Sequence, residues 1–355
     1  MGISPSDGER YADEIRRTYA QAETDIIKML ADELGSDTYR EDWAKLKLRR
    51  LRKVRGKISS EVIDSLDVED QVRAAIEDAY RDGSDSAIAD LRSVKRAGGP
   101  VGDIDTNFGM MNKRAIRSAA NQTVGKLKST HLRIFRHVDD VYRRAVSQAQ
   151  TSVLTGTATR REASQKVLNR FANRGVTSFI DDAGRCWNLS SYSEMAVRTS
   201  TGRSAVNGAM DRIEENGRDL VVVSDHHGAC KKCRNWEGEI LSMSGNSDKY
   251  SSVGDARGGG LFHPMCRHTL NAYIPGWTKT PDETADPEIA EHRRQQRYLE
   301  RGIRKWKRRK AAAMSDKVMQ KTQAKISGWQ GRMQNFIDRT DRRRLYSREQ
   351  IGKAR

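Results

Sequence analysis

Between Ser224 and Pro275 the chain collects the residues best suited to bind a metal ion: S-D-H-H-G-A-C-K-K-C-R-N-W-E-G-E-I-L-S, a loop, then G-G-G-L-F-H-P-M-C-R-H-T-L-N-A-Y-I-P. Three of the four cysteines (Cys230, Cys233, Cys266) and four of the seven histidines (His226, His227, His263, His268) lie here. Cys230-x-x-Cys233 has the gap that lets one tight turn present two thiolates to one ion, and His263-x-x-Cys266 repeats it further on. Thiolates combined with imidazole suit zinc, a borderline-soft ion with a tetrahedral preference. Four protein donors leave no open position, so the expected zinc site is structural. The expected ligands are Cys230, Cys233, His263 and Cys266. His268, two residues from Cys266 and on the same face of a strand, is an alternate, as is His226. The plainer reading is a set of buried thiols beside surface histidines.

Asp225-His226-His227 after a strand suggests a second chemistry, a metal-dependent nuclease with a histidine base. Against it, thiolates would close the metal shell, and no second carboxylate cluster supplies an open Mg²⁺ site. No helix follows the cysteine pair at the spacing of a DNA-reading zinc finger. A non-enzymatic protein is therefore expected.

The 355 residues carry a formal charge of +17, with aromatics at 6% and apolar residues at 36%. Such a composition suits a helix-rich protein with much surface and a polyanionic neighbour, nucleic acid first. No apolar run is long enough to cross a membrane, and Met1 to Leu30 lacks the apolar core of a signal peptide, so the cytosol is the expected compartment. There, clustered cysteines favour metal over disulfide. Cys186, apart from the cluster and beside Trp187, reads as a packed thiol.

Helices must position these groups. No proline falls between Val101 and Phe262, which permits long helices through the middle of the chain. Tyr11, Ile15, Tyr19, Ala22, Ile26, Met29 and Leu30 recur at helical spacing up to Gly35. The basic run K-L-K-L-R-R-L-R-K-V-R-G-K follows, then a helix through Val72, Ile76 and Tyr80 with Gly83 as its cap. Ile116, Ala120, Val124, Leu127, His131, Ile134, Val138, Val141, Ala145 and Ala149 outline one long helix, or two joined near Ser129. Thr157 or Thr159 caps a shorter one, ended by Gly175. Val176 to Ile180 and Cys186 to Leu189 read as a hairpin, Ser190 to Asn216 as a helix, and Asp219 to Ser224 as a short buried strand. The expected fold is mainly α, with a small α/β zinc-stapled domain towards the C-terminus. It divides into an N-terminal helical region (1–100, ending at A-G-G-P-V-G), a central long-helix region (101–216), the expected α/β zinc domain (217–280, packed with 176–216) and a basic helical tail (281–355).

The tail holds 21 Lys and Arg against 10 Asp and Glu, most of the net charge in a fifth of the chain. From Ala290 to Met314, basic residues surround a narrow apolar stripe of Tyr298, Leu299, Ile303 and Trp306. Arg293, Arg294, Arg297, Arg301, Arg304, Lys305, Lys307, Arg308, Arg309 and Lys310 are the expected contacts to a polyanion. Double-stranded DNA read without sequence preference and an acidic protein partner fit equally.

The runs F-I-D-D-A-G-R-C-W-N-L-S-S-Y-S-E-M-A-V-R-T, D-L-V-V-V-S-D-H-H-G-A-C-K-K-C-R-N-W-E-G-E-I-L-S, G-L-F-H-P-M-C-R-H, Y-I-P-G and R-Y-L-E-R-G-I-R-K-W-K-R resemble the phage minor capsid protein 2 family. They also resemble the related MuF-like minor head proteins. The minor capsid pattern implies ligands at His226, Cys233, Cys266 and His268, and the MuF-like pattern implies Cys230, Cys233, His263 and Cys266; this chain has both sets. The resemblance implies a low-copy virion protein inside the head, made in the host cytoplasm. Portal association, contacts with capsid or scaffold proteins, and a part in head morphogenesis and DNA packaging or delivery go with it.

Overall fold

A computed structural model describes residues 5–64, 66–180, 186–280 and 286–352. In chain order the elements are α1 (Pro5–Gly35), α2 (Trp43–Ile58), α3 (Glu69–Arg96), α4 (Met110–Leu154), α5 (Arg160–Arg174), β1 (Thr177–Ile180), β2 (Cys186–Asn188), α6 (Leu189–Glu215) and β3 (Leu220–Val223). They continue through α7 (Lys231–Arg234), β4 (Ile240–Ser242), α8 (Val253–Gly258), β5 (Leu270–Ala272), α9 (Pro287–Ala311) and α10 (Asp316–Thr340). The expected mainly α fold with a small α/β region is what forms. Of the proposed long helix, α4 is the whole, in one piece. Its apolar positions Ile116, Ala120, Val124, Leu127, Ile134, Val138, Val141, Ala145 and Ala149 are all buried, while His131 is half-buried with its Nε2 3.1 Å from the Tyr19 hydroxyl.

The chain forms two compact units, each assembled from three separate stretches. Unit 1 takes residues 1–13, 68–126 and 194–293; unit 2 takes 14–67, 127–193 and 294–355. Pro100, where the composition suggested a first boundary, falls inside unit 1. The side chain of Cys186 and residues 281–285 lie outside the described residues.

Unit 1 contains a three-stranded antiparallel sheet in the order β4-β3-β5. The central strand Leu220–Val223 is nearly all β-branched, and its last three residues are buried, as a strand covered on both faces requires. Ala87 and Leu91 of α3, and Val206, Ala209 and Ile213 of α6, share one core with Val221, Val223, Leu241, Leu270 and Ala272. Gly83 does not end its helix as expected, because α3 continues to Arg96. Its role is packing: a β-carbon there would lie 1.9 Å from the Ala205 carbonyl oxygen, and one on Gly208 of α6 would lie 2.1 Å from that of Tyr80. The two glycines let the backbones of α3 and α6 meet where no side chain fits.

Unit 2 is held by polar ties as well as apolar packing. Thr159 and Glu162 close a reciprocal capping box at the start of α5, selecting Thr159 over Thr157 as its cap. Leu299 and Ile303 of α9 pack against Met333 and Phe336 of α10, with Trp329 alongside. Gln165 of α5 grips the turn after α9, donating to the Ala312 carbonyl at 2.9 Å and accepting from the Met314 N–H at 2.7 Å. The C-terminal stretch is anchored by Thr24 donating to the Ile351 carbonyl at 2.6 Å and Arg16 to that of Ser347 at 2.9 Å.

Replacing glycine by alanine in an exposed helix stabilises it by about 0.5–1 kcal/mol, whereas overpacking a close contact costs about 1–3 kcal/mol. Gly83→Ala and Gly208→Ala are therefore expected to lower the urea midpoint. Gly125→Ala in α4, where nothing lies within 4 Å of the new β-carbon, should hold or raise it.

Candidate metal centre

The sheet register builds the site. β3 and β5 run antiparallel with Val223 opposite Leu270, so the end of one strand and the beginning of the other share one edge of the sheet. Ser224 and Thr269 extend the ladder: the Ser224 N–H donates to the Thr269 carbonyl at 3.0 Å, and the Thr269 N–H to the Ser224 hydroxyl at 2.9 Å. The chain leaving β3 makes the first turn, where the N–H groups of Cys233 and Arg234 both donate to the Cys230 carbonyl, at 3.1 and 3.0 Å. The chain approaching β5 makes the second, where the Cys266 N–H donates to the His263 carbonyl at 2.9 Å. Phe262 just before that turn and Met265 within it have φ of 56° and 66°. Left-handed backbone at such residues costs about 1 kcal/mol or more, which the surrounding structure must offset.

Two overlapping triads result. Donor atoms of Cys230, Cys233 and His263 lie within 4.8 Å of one another, and so do those of Cys233, Cys266 and His268. Bonds of about 2.3 Å to sulfur and about 2.0 Å to nitrogen give tetrahedral edges of about 3.5–3.8 Å. Here the Cys233 and Cys266 sulfurs are 3.6 Å apart, Cys266 Sγ and His268 Nδ1 3.4 Å, and Cys230 Sγ and His263 Nε2 3.1 Å. The donor set and its spacing fit a thiolate-rich zinc site.

The protonation states agree. Two thiols so close share one proton. The hydrogen bond from Cys233 pulls the Cys266 pKa down to about 4, against burial and with help from His268, while the Cys233 thiol is pushed up by the same hydrogen bond and by burial. His263 sets its Nδ1 2.8 Å from the Pro264 carbonyl, a contact that requires the proton on Nδ1 and leaves the Nε2 lone pair facing Cys230. His268 sets its Nε2 2.8 Å from Glu237 Oε1, with both side chains almost fully buried. Burial alone would lower the His268 pKa, but the hydrogen bonds to Cys266 and Glu237 and their charges outweigh it, and the pKa is raised. A carboxylate behind a histidine fixes the ring and its tautomer, as around bound zinc generally.

His226 is in neither triad. Its Nδ1 accepts from the Gly228 N–H at 2.9 Å, so that nitrogen is occupied; burial and then Arg293 push its pKa down to about 4. His227 is exposed and Asp225 half-buried. Glu237 was not anticipated from the sequence. The signal available was an acid four residues after Cys233, in the turn that returns the chain to β4.

The ten residues expected to meet a polyanion divide sharply. Arg293, in unit 1, donates to the Gly228 carbonyl at 3.0 Å. In unit 2, Arg304 and Arg308 are buried: Arg304 donates to the Arg348 carbonyl, and Arg308 to that of Ala172 at 2.9 Å. Arg297 pairs with Glu300 at 2.9 Å, Lys307 reaches Gln350 and Lys310 Gln323, each at 2.8 Å, and Arg309 lies over Trp306. Lys305 is half-buried, and Arg294 and Arg301 are exposed. Much of this charge faces the protein's own carbonyls and carboxylates rather than solvent, because an amphipathic helix this basic packs only by turning some arginines inward.

The family model for phage minor capsid protein 2 matches residues 3–338. The chain belongs to that family. A curated relative described as "Structural protein", from Lactococcus phage LL-H, is 27% identical over 232 residues, covering 61% of this chain. The minor capsid chain spans about 62% of that relative's length. No solved structure is significantly similar. Among the described residues, no helix is long and apolar enough to cross a membrane.

Glu237→Gln keeps the shape of the side chain but removes the charge behind His268. Loss of such an outer contact typically costs about 10–100-fold in metal affinity. A chelator-competition titration is expected to register that drop, with one ion per chain still bound at saturating zinc.

Proposed function

We propose that this chain is a non-enzymatic minor capsid protein of the virion head whose unit 1 is closed by a structural zinc ion. It would assemble in the host cytoplasm among portal, capsid or scaffold proteins, close to packaged DNA. Two triads that share the buried Cys233 and bring Cys230, His263 and Cys266, each half-buried, to the sheet edge carry this reading. Four such donors would leave no position for a reacting water, and their contribution is to tie two turns that lie more than thirty residues apart in the chain. Zinc would contribute folding energy there rather than Lewis-acid chemistry. His268, oriented by Glu237, supports Cys266 from behind. Head morphogenesis and DNA packaging or delivery are the processes that a protein of this family and charge would serve.

Purified protein should carry one zinc per chain by atomic emission, and Cys233→Ala and Cys266→Ala should each lose it. His263→Ala should lose it as well, whereas His268→Ala should retain the ion with weakened affinity; loss in His268→Ala with retention in His263→Ala would reverse their roles. Incubation with supercoiled plasmid and Mg²⁺ or Mn²⁺ should give no nicking. Nicking that disappears in His226→Ala would replace this reading with a nuclease.

A further inference from the structure

Helix α2 is the most one-sided element of the protein: its 16 residues contain eight Lys or Arg and no Asp or Glu. Two of the eight serve the fold. Lys47 is fully buried against Glu33 at 2.8 Å, and Arg50 meets Asp37 at 2.8 Å. The other six, Lys45, Arg49, Arg52, Lys53, Arg55 and Lys57, are exposed. Burying a lysine while leaving six cations in solvent along one helix is not needed for packing, since Trp43, Leu51, Val54 and Ile58 already supply the buried face.

Between α2 and the second half of α4, both in unit 2, runs an open groove of about 790 Å³. Arg49, Arg52 and Arg55 line one side and Arg143 the other, with Phe135 and Asp139 between. Four guanidinium groups face one carboxylate, and Asp139 is engaged by Arg55 at 3.4 Å. Arg52 and Arg143 make no ion pair among the described residues. We propose that this groove binds the phosphate backbone of double-stranded DNA. This assigns the duplex to α2 and α4 in place of the exposed arginines of α9.

Charge, shape and chemistry favour this occupant over an acidic protein helix. Arg49, Arg52 and Arg55 recur every three residues, about 4.5 Å apart along the axis, and Lys45, Lys53 and Lys57 carry the positive contour beyond the groove. A linear polyanion matches a line of charge longer than the cavity; a single small anion does not. Guanidinium forks pair with phosphate oxygens in two-pronged geometry. A docked amphipathic helix would need an apolar stripe, but the apolar lining of the groove is Leu48, Leu51 and Phe135; Leu51 is buried in the protein's own core, and the Arg55 guanidinium already lies 5.9 Å over the Phe135 ring. Gly56 leaves the groove wall low, with nothing within 4 Å of where its β-carbon would be. Interactions of this kind position a duplex without reading its sequence.

The test is fluorescence anisotropy of the full chain with a labelled mixed-sequence duplex, titrated across a salt series. Each phosphate that a variant no longer neutralises should reduce the slope of log affinity against log salt by about 1. Both Arg52→Gln/Arg143→Gln and Arg52→Glu/Arg143→Glu, at exposed positions and with unchanged circular dichroism, are therefore expected to lower the slope by about 2 and the low-salt affinity by at least about tenfold. Arg294→Glu/Arg301→Glu should leave both unchanged. Wild-type slope and affinity in the groove variants would overturn the proposal, and loss confined to the Arg294→Glu/Arg301→Glu protein would move the DNA-binding surface to α9. Poly-L-glutamate competing as well as duplex at equal charge would overturn it in favour of an acidic polypeptide.

Discussion

The candidate metal centre depends on one pairing, β3 against β5. Its register sets Val223 opposite Leu270 and so places the turn that follows β3 beside the turn that precedes β5. Side chains alternate along a strand with period two, so a one-residue slip would exchange the face that Val221 and Val223 pack with the face that Val222 packs, and carry the donors of one turn away from those of the other. The sheet is small, and three strands of three or four residues cannot hold such a register unaided. The support comes from α3 and α6, whose backbones approach closely at Gly83 and Gly208 and whose apolar faces complete the core around Val221 and Val223. A metal ion at the sheet edge would close the same arrangement from the opposite end.

Charge is used in two physically different ways. In unit 2, Arg304 and Arg308 are drawn inside and saturated by backbone carbonyls, and Glu23 and Glu300 are buried with them. Burial raises the Glu23 pKa, against the opposing pull of Arg308 and the Val176 N–H. Arg348 and Glu300 meet at 3.1 Å and tie the C-terminal turn to α9. Buried ion pairs contribute little net stability because desolvation offsets their attraction, but breaking one leaves a costly unpaired charge. They therefore fix where α9 and the chain end lie more than they strengthen the unit. On α2, by contrast, six of the eight cations stay in solvent, where their field acts on whatever approaches.

The two uses separate what a net charge of +17 leaves mixed. Counting Lys and Arg points to the C-terminal fifth of the chain as the polyanion-facing part. Burial and hydrogen bonding divide that stretch, because Arg304 and Arg308 of α9 are buried against backbone carbonyls while Arg294 and Arg301 stay exposed. A minor capsid protein built this way combines a unit that gathers thiols and imidazoles at a sheet edge with another that keeps Arg49, Arg52 and Arg55 of α2 outward.

Much of this molecule was written in local pattern. The 3.6-residue periodicity of α4, the strand Leu220–Val223, a threonine cap on α5 and the gathering of Cys230, Cys233, His263 and Cys266 near one sheet edge depend on neighbours in sequence, although the choice of Thr159 over Thr157 came from the structure. What the sequence could not settle were questions about the other side of a contact. Gly83 reads as a helix cap until Ala205 is seen against it. His226 and His268 are equal candidates by type and position, and only their partners divide them: a backbone N–H occupies Nδ1 of the first, and a buried glutamate turns Nδ1 of the second towards Cys266. The arginines of α9 likewise look alike in a string of letters. Whether an arginine faces water or a carbonyl is decided by which helix packs over it, and packing is a property of residues far apart in the chain.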